Sequence, residues 1–464
     1  MKIDNKILTL VLIVLIVHVA AFLLLGYYYF FPKLINNTST SIEERNDKNF
    51  FVSNKDNKLE IFYEKIPGSK FHSPDATWWG YNQNKIARFG NLVLMYVIEN
   101  FDDSNKTLSN FVIYKKEGNT AWEKGAYFPT SRPGNILIDS SGTLHTFVFE
   151  PTDVVKNDSI GKLVHYWFPN SKSGDITNYK QEVVVEAIDN VETVNIRVGS
   201  AIAPDDTMTV GFGLTTYNPL YKGHSEHIYF KKPSETQWNH LIAGENLGHD
   251  FYYPFVLATE KGFHLLSVQD DFTGAGNPNI YQKIIYFEYQ SGTWKQEIIA
   301  DLSTHTLAKT RPRLLEQEEL FQDKEGTIHV IYKEFLDPKE TWKSSSHKHV
   351  FFKNGDVETK IIDVSKNSNW IRLFEAEGTL YYLVTAWDSL HIGRVGSNKL
   401  ENIKAVPSDA KGIYPYVATA RSGTRESEKY IDILLLAADQ SSYKDATNAN
   451  YYIRIPKTEL SKIE

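Results

Sequence analysis

The chain has 464 residues and a formal net charge of −7, with both signs interspersed, which argues against a general nucleic-acid surface. It contains no cysteine, so disulfides, thiolate metal centres and cysteine nucleophiles are excluded. Its 27 Tyr and 26 Phe suit a strand-rich protein.

The first element is apolar. Ile7 to Phe31 carries no charge and is interrupted only by Thr9, His18 and Gly26. A run of this length can span a bilayer as a helix. Tyr27, Tyr28 and Tyr29 stand at its outer end, where an aromatic belt belongs, and Lys2 and Lys6 precede it. Residues 1–31 are therefore expected to form a cytoplasmic tip and an uncleaved single-pass anchor in the cell membrane, with the rest of the chain extracytoplasmic. A cleaved signal peptide is the competing reading, but its apolar region would be unusually long and no small-x-small site follows. Residues 32–57 lack an apolar period and read as a flexible polar stalk. The globular domain is expected over 58–464.

From there one motif keeps returning. A Pro- or Arg-containing step opens a short apolar strand, an Asp/Glu/Gly turn follows, and a second strand begins with an apolar residue and His or Tyr. It reads SRPGNILIDSSGTLHTFVFE at 131–150, YYPFVLATEKGFHLLSVQD at 252–270, TRPRLLEQEELFQDKEGTIHVIYKE at 310–334 and NWIRLFEAEGTLYYLVTAWD at 369–388. Looser copies begin at Lys85, Asn195 and Tyr414. Repeats built only of strands predict an all-β, seven-bladed β-propeller, with six blades as the alternative because the sixth unit is short. The expected units are 84–128, 131–187, 193–243, 250–301, 310–364, 368–406 and 412–456. Pro133, Pro254, Pro312 and Pro415 each fall second in a strand opening, at spacings that fit units of about 50–60 residues. The turns at Asp139–Gly142 and Asp323–Gly326 have the composition of type I turns closed by a glycine bulge. LEIFYEKI at 59–66 has no unit of its own and is expected to add an outer strand to the last blade, closing the ring. His145, His264 and His329 recur at equivalent places, which predicts a shared structural hydrogen bond between adjacent strands.

The segments DSSGTLH, DKEGTIH and EAEGTLY, with ATWWGYNQNKIARFGNLVLMYV at 76–97, resemble the sialidase-like, BNR (Asp-box) repeat propellers and, more distantly, propeller-fold polysaccharide lyases. The resemblance covers roughly 72–456. It implies that ligands bind on the face where the innermost strands begin. There it would gather Trp79, Tyr81, Arg132, Arg197, Tyr253, Arg311, Arg313, Trp370, Arg372 and Tyr414. Arg forks bind carboxylates bidentately, and aromatic faces pack on sugar rings. An acidic glycan or cell-surface polysaccharide is thus the expected partner, alongside the membrane and without nucleic acid.

Glu150, Asp270 and Glu334 close the second strands of their units and are candidate acid or base groups. His224 or His249, with Tyr217, Tyr221 or Tyr252 nearby, would supply the His/Tyr pair that the likeness to lyases implies. If the protein is an enzyme, the implied class is polysaccharide lyase or glycoside hydrolase. GHSEH at 223–227 provides no third metal ligand, so neither metal nor cofactor is expected. The alternative is a non-catalytic propeller that acts as a protein-protein or cell-envelope scaffold.

Overall fold

A computed structural model describes residues 50–53, 59–66, 82–100, 109–130, 134–153, 157–186, 198–215, 224–243, 251–270, 281–309, 314–336, 346–353, 356–362, 368–386, 389–397, 400–403, 413–425, 427–437 and 449–463. The anchor expected over 1–31 lies outside them. Among the described residues no helix is long and apolar enough to cross a membrane.

Short strands rich in Val, Ile, Leu, Tyr and Phe pair with their neighbours in sequence to form seven antiparallel sheets. Two strands precede the first sheet: β1 (Phe50–Ser53) and β2 (Glu60–Lys65). Blade one holds β3 (Ile86–Phe89), β4 (Leu92–Asn100), β5 (Ser109–Glu117) and β6 (Glu123–Thr130). Blade two holds β7 (Asn135–Ile138), β8 (Leu144–Asp153), β9 (Asn157–Phe168) and β10 (Lys180–Val185). Blade three holds β11 (Gly199–Ile202), β12 (Met208–Thr215), β13 (His224–Lys231) and β14 (Asn239–Ala243). Blade four holds β15 (Phe251–Thr259), β16 (Gly262–Asp270), β17 (Tyr281–Gln290) and β18 (Thr293–Asp301). Blade five holds β19 (Leu315–Gln322), β20 (Ile328–Glu334), β21 (Ser346–Lys353) and β22 (Asp356–Ile362). Blade six holds β23 (Ser368–Ala376), β24 (Thr379–Ala386), β25 (Ser389–Arg394) and β26 (Glu401–Ile403). Blade seven holds β27 (Ile413–Val417), β28 (Tyr430–Ala437) and β29 (Ala449–Pro456). The short sixth unit still completes four strands, so the count is seven rather than six.

The first strand of each blade touches the first strand of the next, in the order β3, β7, β11, β15, β19, β23, β27 and back to β3. The apolar cores lie between sheets rather than within one. Ala87, Tyr96 and Phe111 of blade one pack with Ile136, Val148 and Phe168 of blade two. Phe62, Leu434 and Tyr452 of blade seven pack with Ile86, Met95 and Val112 of blade one. A sheet buried on both faces by its neighbours reads as near-continuous apolar sequence, as Asn135–Ile138 and Leu92–Ile98 do.

The ring closes through β2, which pairs with β29 (Phe62 opposite Arg454, Tyr63 opposite Ile453). Tyr63 stacks on Tyr451 at 5.2 Å. Glu459, in a final helical turn α1 (Lys457–Leu460), accepts the Glu60 amide at 2.7 Å. This is the closure expected of residues 59–66. The stretch expected as stalk differs in one place. Phe50–Ser53, an apolar FFVS run, pairs with β2 as β1 and gives blade seven a fifth strand. Four consecutive residues suffice for an edge strand when a paired neighbour is already in place.

The inner hairpins follow turn chemistry. Asp139 Oδ1 accepts the Thr143 amide at 2.8 Å, the Gly142 amide reaches Asp139 O, and Gly142 has φ +90°. Asp323, Thr327 and Gly326 repeat the arrangement in blade five. These turns share one face of the ring, the hairpin face. The opposite end, where the inner strands begin, is the opening face.

Candidate functional site

Polar side chains on or just before several inner strands cross to other blades. Asn135 Nδ2 donates to Val198 O at 2.6 Å, Asn84 Nδ2 to Ser200 O at 2.7 Å, and Asn82 Nδ2 to Pro254 O at 2.9 Å. Gln317 Nε2 donates to Tyr253 O at 3.0 Å. These amides satisfy carbonyls that the short inner strands leave without ladder partners, and they fill the channel.

The channel also holds charge. The connection between β27 and β28 turns across it through a single 3-10 turn, Ala420–Ser422. Arg421 on that turn donates to Asn84 Oδ1 at 2.9 Å and lies 3.2 Å from Glu319. Arg372 comes within 4.0 Å of the same carboxylate. Arg421 packs over the Phe255 ring at 5.2 Å, and Lys85 lies 4.7 Å from the Tyr416 ring. Burial, and then the Arg372 charge, drive the Lys85 pKa well below its ordinary value. Two guanidiniums crowd here within aromatic walls around one carboxylate, beside an amine that burial biases towards its neutral form.

Six of the sequence-predicted ligand residues and one of the histidines lie outside the described residues: Trp79, Tyr81, Arg132, Arg197, Arg311, Arg313 and His249, as do Tyr217 and Tyr221. His224 and Asp270 are described only as strand members, opposite Thr215 and Tyr281. The remaining candidates all make contacts within the propeller. Tyr253 is buried, with φ +58°, a left-handed conformation rare for a bulky residue and held here beside Pro254. Trp370 is buried beneath the Lys333 ammonium, 4.0 Å from its ring, and packs on Tyr414 at 5.3 Å. Arg372 was expected to grip a ligand carboxylate. It instead donates to Pro415 O at 3.0 Å and to Glu318 O, tying blade six to blades seven and five. Glu150 accepts the Tyr166 hydroxyl and pairs with Lys162 at 3.3 Å. Glu334 pairs with Lys348 at 3.6 Å. Each carboxylate is thus held by the third strand of its own blade, two in one case and five in the other. Among the described residues no three His, Asp or Glu side chains converge as a metal site.

Two features escape sequence reasoning. The first is β19 itself, LEQEELFQ, in which Glu316, Glu318 and Glu319 are all buried. Glu316 pairs with Lys333 at 2.9 Å and Glu318 with His347 at 2.6 Å. The available signal was three acids within one short inner strand, with Lys and His on the two strands that follow. The second is Glu226, passed over between the histidines of GHSEH. It is 0% exposed; the Ser267 hydroxyl of blade four donates to one carboxylate oxygen, and the other has no hydrogen-bond partner among the described residues. Burial pushes its pKa up to about 7.

That shift sets a pH dependence. An acid whose folded pKa lies above its unfolded value stabilises the fold fully below the unfolded pKa and loses that contribution as pH rises through the folded one. Stability owed to Glu226 is therefore present near pH 4.5 and gone above pH 7. Glu226→Gln should gain on the parent as pH rises from 5 to 8, read as the difference between their denaturant midpoints. A difference independent of pH would show that Glu226 does not titrate in this window.

The repeated histidines form relays. His145 Nδ1 and His165 Nε2 share a hydrogen bond of 2.9 Å, with Asp139 at 3.5 Å on the far side of His145. His165 Nδ1 continues to Glu182 at 2.9 Å, which Lys231 of blade three holds at 2.8 Å. Blade five repeats the chain from Asp323 through His329 and His349 to Tyr382 of blade six.

No protein-family model matches the chain, and no curated protein matches it in sequence. Among solved structures it is similar to the polysaccharide lyase Uly1, with a TM-score of 0.53 and 12% identity over 90% of this chain and 94% of that one. It is also similar to an α-L-arabinanase of Penicillium chrysogenum complexed with arabinobiose (TM-score 0.43, 12% identity, 70% and 94% covered). A Trypanosoma rangeli sialidase follows (TM-score 0.41, 10% identity, 82% and 55% covered). At these identities the likeness is one of fold, and the chain is a seven-bladed β-propeller sharing its fold with a polysaccharide lyase.

Proposed function

We propose that the protein is a membrane-anchored, extracytoplasmic propeller that binds an acidic carbohydrate on its opening face. The observation that carries this reading is the cationic, aromatic-walled channel of Lys85, Arg372, Arg421, Phe255 and Tyr416. Arg132, Arg197 and Arg313 stand two or three residues before the inner strands β7, β11 and β19. Guanidiniums brought in by several blades suit the carboxylates of a uronate or sialate chain. The uncharged run Ile7–Phe31 supports the anchor.

Binding is favoured over catalysis. Glu150 and Glu334 belong to separate blades and already hold partners of their own. Were the protein catalytic, lyase or hydrolase chemistry would draw on Asp270, His224 or His249. The filled channel also favours a second reading, a scaffold for a protein or cell-envelope partner, because a filled channel offers no deep pocket.

A thermal-shift comparison of the full chain with glucuronate, galacturonate and sialate oligomers against neutral sugars tests the first reading. A ligand at 100-fold its dissociation constant stabilises by about 2.7 kcal/mol. Acidic oligomers alone should raise the melting temperature, and Arg311→Ala should abolish the rise. Equal shifts with neutral sugars, or no shift at all, would turn the search towards protein partners.

A further inference from the structure

Blade four breaks the relay of blades two and five. Its inner turn runs Thr259–Gly262, one residue shorter before the repeated His than the turns that start at Asp139 and Asp323. Thr259 replaces the aspartate, and its hydroxyl is drawn into the turn, donating to Gly262 O and accepting from the Lys261 amide. No acid therefore caps His264. His264 Nδ1 shares a 2.6 Å hydrogen bond with the Tyr286 hydroxyl, the counterpart of His165 and His349. Its Nε2, which Asp139 and Asp323 occupy in the other two blades, has no partner among the described residues.

His264 is 8% exposed and forms part of the wall of a cleft of about 790 Å3 between blades four and five on the hairpin face. This volume falls in the range of small-ligand sites, roughly 300–1,000 Å3. The wall continues through Tyr286, stacked on Phe352 at 4.9 Å. Two of the acids lining it are already engaged. Asp323 accepts from Thr327 and holds His329 at 3.1 Å, and Glu288 has Lys295 at 3.8 Å. Beyond them, Glu260, Glu297 and Glu325 stand exposed, as do the lysines Lys261, Lys295 and Lys324. The exposed acids and lysines are thus equal in number, and the wall beside them is aromatic on one side and carries a buried imidazole, a phenol and the Gln322 amide. Such a surface suits a ligand with many hydroxyls and no charge: aromatic faces pack on the ring and fixed polar groups orient it.

We propose that the cleft between blades four and five is a second binding site, for a neutral sugar, with His264 Nε2 as its orienting polar group. It lies on the face opposite the strand openings and stands independently of the acidic-glycan reading.

The full chain is titrated calorimetrically with maltose, cellobiose and arabinobiose, with tetralysine as a cationic comparator, for the parent, His264→Phe, Glu288→Gln and Arg311→Ala. At least one disaccharide should bind, His264→Phe should weaken it tenfold or more, and Arg311→Ala should leave it unchanged. Burial lowers the His264 pKa to about 4, so the ring is neutral at pH 6 and open to diethyl pyrocarbonate at Nε2. His264 should be labelled faster than His145 or His329, and a saturating disaccharide should slow the labelling. The proposal is overturned if no disaccharide binds, if tetralysine alone binds, or if Arg311→Ala removes binding and His264→Phe does not. Should His264→Phe fail to fold, protection of His264 in the parent and in Glu288→Gln decides, and a failure of the sugar to protect overturns it equally.

Discussion

Replacing Asp432 with Ala is expected to destabilise the propeller by about 3–5 kcal/mol, among the largest effects of any single substitution in it. Asp432 is 0% exposed, and Arg88, 2% exposed, grips it with both Nε and Nη2, the latter at 2.7 Å. The Tyr452 hydroxyl donates to the same carboxylate at 2.5 Å, and Tyr430 lies under the guanidinium at 5.1 Å. Burial works against the Arg88 charge, but the hydrogen bonds and charge of Asp432 outweigh it and hold the Arg88 pKa above its ordinary value. Removing the carboxylate leaves a buried cation with no counter-charge, which costs far more than the pair itself contributes. A denaturant titration measures the loss. The double replacement Arg88→Met, Asp432→Leu should recover most of it, since an apolar pair of similar volume needs no desolvation of charge. A loss below about 1 kcal/mol in the single variant would mean that water or another group takes the place of Asp432.

Gly423→Ala is expected to cost about 2–5 kcal/mol, from left-handed strain of roughly 1–2 kcal/mol and overpacking of roughly 1–3 kcal/mol. Gly423 has φ +85°, and an added Cβ would stand 1.8 Å from Ile138 O and 3.0 Å from Ile202 Cγ2. This glycine lets the 418–429 connection lie against blades two and three while Arg421 reaches Glu319. The Arg88 amide donates to Thr424 and the Arg425 guanidinium to Ser140 O, so displacement of the turn would loosen three blades together. Gly396→Ala is the control. It has φ +92° with open space around it, so only the left-handed strain remains. Equal losses in the two variants, measured by denaturant titration, would remove the close approach from the explanation.

Much of the architecture was legible because it is local and periodic. Asp139–Gly142 and Asp323–Gly326 announce their turns by composition, since an Asp side chain closes the turn on amides two and four residues on and a glycine supplies the positive φ. Residues 59–66 declared themselves a closing strand by having no unit of their own. Phe50–Ser53 was hidden because four apolar residues in a polar stretch carry no period, and only the prior presence of β2 gives them a partner.

The site was less legible. Arg372 opens its repeat as a ligand-binding arginine would, but its guanidinium meets carbonyls at 318 and 415. Glu319 reads as one acid among several in LEQEELFQ, and only the turn at 420–422 supplies its arginine.

By itself the sequence determined most of the strands, their turns and the closing strand, because each depends on period-2 patterning and on side chains a few residues apart; the choice of seven blades over six came with the structure, which completes the short sixth unit with four strands. The tertiary structure alone decided which polar groups face a ligand and which face a neighbouring blade. An inner strand packs against strands of other units, so its partners come from far along the chain, as Arg88 of β3 and Asp432 of β28 do across 344 residues. No local pattern records that pairing; it exists only once the ring has closed and desolvated both groups.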